Sequence, residues 1–138
     1  MAIFLDSNML LRYITQDDPV AQEKSAAIIH KIDSGEEEAF ITDVHLHEVA
    51  YVLAARSLYG LTHSDASEKI RPILLMKGLK MRNKAICLEA LSLFATHQYL
   101  DFADALAVIY TRRSQPSIIL SFDTDFDRIT EITRKESW

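Results

Sequence analysis

Short apolar runs alternate along this chain with longer stretches of helical period. Ala2-Ile3-Phe4-Leu5 is apolar and ends at Asp6, so residues 2–6 read as a strand, followed by a short helix through Leu10 and Leu11. A second helix is predicted from Pro19 to about Asp33, with proline in its first turn and Gly35 just past its end. Ala39–Thr42 makes a second strand, and Asp43 is placed to cap a helix through Arg56 in which Val44, Val49, Val52 and Leu53 are core candidates. Another helix follows Thr62 to about Met76. Gly78 breaks it before an extended piece at Leu79–Met81, and Asn83 is the cap of a helix through Ala95. Asp101 or Phe102 opens the next helix, which ends near Arg112–Arg113. Pro116 introduces the strand 117–121, then come a helical turn at 124–128 and a last strand near 131–133.

Strands separated by helices predict an α/β fold of three layers, α/β/α. Its central, mainly parallel sheet would have four to five strands and be covered on both faces. Ligand sites in such sheets lie at the carboxyl ends of strands. Two acids fall there. Asp6 follows the first apolar run, and Asp123 follows Ile118-Ile119-Leu120.

Composition narrows the class without deciding the chemistry. With 138 residues, 49% apolar and 25% charged, the chain is expected to form one domain spanning 1–138, with a real core. No apolar stretch approaches the roughly eighteen uncharged residues of a membrane span. Asp6 and Arg12 interrupt the apolar start, which is not the pattern of a secretory signal. Cys87 is the only cysteine, so no intrachain disulfide forms, which suits a cytoplasmic setting. The net charge of −5 argues against gripping nucleic acid by bulk electrostatics, unless several acids are metal ligands.

The acids carry the chemistry. Asp6 opens Asp6-Ser7-Asn8, a trio that also suits an ordinary strand-to-helix turn. Glu48 falls between Val44 and Val52 on a helix apolar almost all round, where an unpaired buried carboxylate is costly. Asp101 reads as a helix N-cap with Asp104 facing back toward it, and Asp104 faces inward more than Asp101. Both would sit in the positive field of the helix start, which lowers their pKa. Asp123, Asp125 and Asp127 alternate like a calcium loop but lack its glycine and closing glutamate. Of these, Asp123 is the site candidate. Asp125 is a further contact or a cap, and Asp127 is solvent-facing. Carboxylates set among so much apolar sequence repel one another unless something positive holds them. A divalent cation with oxygen ligands is the economical candidate, and it implies phosphate chemistry.

Other signals are weaker. His45 and His47 point about 200° apart on a helix, cannot share one ion, and read as surface or structural residues. Lys77, Lys80, Arg82 and Lys84, with Arg112 and Arg113, are able to contact a phosphate backbone, though such a run is more often a solvated face. No Walker loop, nucleophile elbow or dinucleotide fingerprint is present.

Four segments then match a known family in order and in register. Phe4-Leu5-Asp6-Ser7-Asn8-Met9-Leu10-Leu11 resembles the opening of PIN-domain ribonucleases, particularly the VapC toxins of toxin–antitoxin pairs. Leu46-His47-Glu48-Val49-Ala50 is similar to the segment with their second acid, and Leu100-Asp101-Phe102-Ala103-Asp104-Ala105 to that with the third. Ser121-Phe122-Asp123-Thr124-Asp125-Phe126 resembles their closing motif. Ser7 and Ser121 stand where threonine is usual, and both keep the hydroxyl. The resemblance implies metal-dependent endoribonuclease activity, homodimers and a cognate antitoxin. It implies Asp6, Glu48, Asp104 and Asp123 as ligands of Mg²⁺ or Mn²⁺, oriented by Ser7, Asn8 and Ser121, with Asp101 and Asp125 as additional candidates. Arg12, Arg112 and Arg113 are the candidates for RNA phosphate contact.

Three rivals stand at this level, one of them a receiver domain with an acidic pocket, for which the lysine expected after a late strand is not found. An aspartate-nucleophile phosphatase also places acids at strand ends, but its first motif needs Asp-x-Asp and this chain has Asn8 at the second position. A PIN-like scaffold that binds RNA or a partner without cutting would not need the complete acid set.

Overall fold

Parallel strands need long crossovers, and the helical segments of this chain supply them. The computed structural model describes residues 2–138. β1 (Ala2–Phe4) runs beside β2 (Glu38–Ile41), which runs beside β3 (Leu79–Met81), all parallel. Between β1 and β2 lie α1 (Ser7–Thr15) and α2 (Pro19–Ser34); between β2 and β3 lie α3 (Asp43–Ala54) and α4 (His63–Leu74). α5 (Lys84–Thr96) and α6 (Phe102–Arg112) lead to β4 (Ile118–Leu120), and a 3-10 turn at Thr124–Arg128 joins it to β5 (Thr133–Lys135).

The α/β class is as the alternation predicts, and all the strand pairings are parallel. The four to five strands expected are present as five. Five strands form two ladders, β1-β2-β3 and β4-β5, and among the described residues none joins β1 to β4. The last strand starts two residues later than expected because Glu131, at φ 72°, still turns in the left-handed region.

Helix starts follow local chemistry. Asp18, Thr62 and Asp101 accept backbone N–H bonds as N-caps, each worth about 1 kcal/mol. Thr42, not Asp43, caps α3, by accepting the N–H of His45. Asn83 stands at the start of α5 in the left-handed region and makes no side-chain cap. Gly78 closes a tight junction. Its N–H donates to Ile32 O at 2.8 Å, and its carbonyl accepts from Ala39 N at 3.0 Å. A Cβ there would lie 2.1 Å from the Glu37 carbonyl oxygen, so the end of α2, β2 and the entry to β3 can meet only over a glycine.

One core cluster joins Ala39, Ile41 and Leu79 of the larger sheet to buried residues of all six helices, among them Leu10, Ile29, Leu53, Leu74, Leu91 and Phe102. Cys87 is buried in α5, and burial pushes its thiol up to about 11. One face of the larger sheet is only partly covered. Phe4, Phe40 and Lys80 stand in register across the three strands, and the two rings are each 40% exposed. Among the described residues no helix is long and apolar enough to cross a membrane.

Candidate active site

Asp6 is the first residue past β1 and occupies the N-cap position of α1, yet its side chain makes no capping bond and remains exposed. The nearest cation-forming group is His45 Nε2, 3.9 Å from Asp6 Oδ1. Thr42 and Phe4 hold that imidazole. Its Nδ1 is 2.7 Å from Thr42 Oγ1, and its ring meets the Phe4 ring in an edge-to-face contact at 4.7 Å. The Thr42 oxygen also accepts the His45 backbone N–H at 3.4 Å, so one hydroxyl is engaged with both the backbone and the ring of His45. His45, read from sequence as surface or structural, therefore flanks a candidate ligand. Thr42 three residues earlier was the available signal.

Ser7 follows Asp6 and is buried, and its hydroxyl donates to Glu48 Oε2 at 2.8 Å. That bond joins the turn after β1 to α3. Glu48 itself is exposed, which overturns the reading of it as a buried carboxylate. The buried stripe of α3 is Leu46, Val49, Ala50 and Leu53, and Val44 is 68% exposed. Glu48 does share a stripe with Val44, but that stripe faces outward.

A second group gathers at the start of α6. Asp101 Oδ1 accepts the N–H of Asp104 at 2.8 Å. Asp104 is half-buried and Asp101 exposed, as the apolar run after them predicts. The expected lowering of the Asp104 pKa is corrected. Burial first, then the charge of Asp101 and, more weakly, that of Asp123 push it up to about 6, against an ordinary value of 3.8. The field of the helix start is outweighed. Asp123 stands exposed after β4, where Ser121 Oγ accepts its N–H at 3.0 Å and its Oδ1 accepts the N–H of Asp125 at 2.9 Å.

The chain matches the PIN domain family over residues 3–132. It belongs to that family. No curated protein matches it. PIN domains are generally nucleases that act on RNA and use divalent metal ions.

The carboxylates of this PIN domain suit a hard cation by donor type, and the charge crowding at Asp104 is what such a cation would relieve. Among the described residues no three His, Cys, Asp or Glu side chains converge on one metal position. Asp6 follows β1 and Asp123 follows β4, while Glu48 stands on α3 and Asp104 on α6, two helices that pack together.

The remaining candidates are occupied or unengaged. Asp125 lies 3.8 Å from Arg128. Asp127 is not simply solvent-facing, since Arg134 grips both its oxygens at 2.9 and 3.1 Å and also donates to the Ser121 carbonyl at 2.9 Å. Sequence reading missed Arg134, which pins the loop that carries Asp123. Asn8 is exposed and makes no side-chain hydrogen bond among the described residues. Arg12, Arg112 and Arg113 pair with Asp17, Glu131 and Glu89 at 3.4, 3.5 and 2.6 Å. Arg112 lies eight residues beyond Asp104 on α6, about 12 Å along its axis.

Proposed function

We propose that this PIN domain is a metal-dependent endoribonuclease that hydrolyses RNA phosphodiester bonds. We propose further that it is a VapC-like toxin of a type II toxin–antitoxin pair, acting in the cytoplasm as a homodimer restrained by a cognate antitoxin. The whole chain would work as one PIN-like unit. The observation that carries the reading is the 2.8 Å bond from Ser7 to Glu48, which ties the second acid to the turn that bears the first. An uncommitted Asp6 beside it, and the half-buried Asp104 raised by burial and by the charge of Asp101, support the same role.

Asp6, Glu48, Asp104 and Asp123 would hold Mg²⁺ or Mn²⁺, with Ser7, Asn8 and Ser121 orienting them. When bound, such an ion supplies an activated water and neutralises charge that develops on phosphate oxygens. Ser7 fixes the rotamer of Glu48, and the His45 ring stands 3.9 Å from Asp6. Glu48 and Asp104 are the candidates to take a proton from the attacking water.

The test is purified protein with RNA and Mn²⁺ or Mg²⁺, with and without EDTA, beside Asp6→Asn and Asp104→Asn. Cleavage that stops in EDTA and in both variants is expected. Cleavage that persists in either condition overturns metal dependence. A second reading is a catalytically silent scaffold that binds RNA or a partner, and it draws on the lack, among the described residues, of three acids or histidines converging on one metal position. It predicts RNA binding with no cleavage by antitoxin-free protein at any metal concentration.

A further inference from the structure

The open face of the larger sheet carries a pattern that the acids do not explain. Phe4, Phe40 and Lys80 form one row across β1, β2 and β3. The Phe4 and Phe40 rings meet edge to face at 5.2 Å, and each leaves two-fifths of its surface to solvent. Beside Phe40 opens a cleft of about 800 Å³, lined by Thr42 and Asp43 from β2's end and by Lys77, Lys80, Arg82 and Lys84 around β3. Such a volume is within the roughly 300–1,000 Å³ of ligand sites.

The charge in this cleft is largely uncompensated. Of its four cations only Lys80 has an acidic partner among the described residues, Glu38 at 3.6 Å, with Asp43 the one acid in the lining. Lys84 donates its ammonium to the Leu79 carbonyl, and burial together with repulsion from Lys80 weakens its hold on the proton. The cleft is also tied to the candidate site. Thr42, in its wall, holds His45, and His45 reaches Asp6; Phe4 touches the same imidazole. From β3 to β1 is two strand spacings, roughly 10 Å.

Half-exposed aromatic rings beside a groove of cations are the combination that binds single-stranded nucleic acid, rings taking bases and cations taking phosphates. We infer that a single strand of RNA crosses this open sheet face toward Asp6. Its bases stack on Phe40 and Phe4, and its phosphates are held by Lys77, Lys80 and Arg82. The identity of the strand as RNA rests on the ribonuclease reading, whereas the groove rests on its own residues. An acidic protein segment would use the cations but has no need of the rings.

The test is the anisotropy of a short fluorescein-labelled single-stranded RNA with the full chain, in EDTA, over a range of salt. Lys77→Gln with Arg82→Gln removes two phosphate contacts, so the slope of log K against log salt should fall by about 1.4, at roughly 0.7 per contact. Phe40→Leu should weaken binding about tenfold with the slope unchanged, since a stacked base is lost and no charge. Thermal midpoints check that the variants fold. Arg82→Gln alone, at the exposed end of β3, provides a milder case with about half the slope change. Wild-type affinity and slope in both variants would overturn the path, as would a poly-glutamate peptide that competes equally in wild type and Phe40→Leu. If binding behaves as stated but no metal elicits cleavage, the ribonuclease reading falls and the path stands. If wild type and both variants cleave and bind alike, the path alone falls.

Discussion

Ser7 shows how much a single hydroxyl does here. It is buried, its side chain has one partner, Glu48, and that bond spans 41 positions of sequence. Ser7→Ala is expected to leave the fold intact but free the Glu48 carboxylate, lowering metal-supported cleavage by about tenfold, the usual effect of losing a group that orients a ligand. Ser7→Thr, which keeps the oxygen, should retain activity; a kcat comparison of the two decides. Asp104 is the other residue whose state can be read directly. Its folded carboxyl titrates near 6 and its ordinary value is 3.8, so the folded protein binds this proton more tightly than the unfolded chain. Stability from that proton is present at low pH and is lost as pH rises between those values. In metal-free protein Asp104→Asn should therefore melt higher than wild type at pH 7, with the difference shrinking toward pH 4. A difference that does not vary with pH would mean that Asp104 is less crowded than its neighbours imply.

The element scale shows where sequence suffices. Caps at Thr62 and Asp101 and the glycine stop at Gly35 are local chemistry, legible because partner and signal lie within four residues. The acids at the ends of β1 and β4 were legible for the same reason. What failed depended on tertiary facts. Val44 and Glu48 share a stripe in any helix, but only packing decides that Leu46, Val49 and Leu53 face the core instead. Arg134 closing on Asp127, and His45 on Asp6, join residues from different elements. Gly78 gives the clearest prediction at this level. Gly78→Ala sets a methyl group against two backbone carbonyls that cannot swing away, so a loss on the order of 3 kcal/mol is expected in urea unfolding.

Across the whole molecule Asp6 and Asp123 follow strands of two different ladders, β1-β2-β3 and β4-β5, while Glu48 and Asp104 stand on α3 and α6. A cation that joins Asp6 and Glu48 to Asp104 and Asp123 would link those ladders. Mn²⁺ should then raise the melting temperature and slow amide exchange in both β1 and β4, with both effects absent in Asp104→Asn. Protection confined to one ladder would leave the acids as two independent groups. The family's fold was legible from the order of its motifs, but the break between ladders was not, because strand partners are set by tertiary packing and not by local pattern.

Cys87 turns that architecture into something measurable without a label. The chain's one thiol is sealed in α5 and kept protonated well above neutrality, so an alkylating reagent cannot touch it in the closed protein. Its rate of modification is therefore a clock for openings of the helical layer, and a ligand that tightens the molecule should slow that clock even when it leaves no mark on the spectrum.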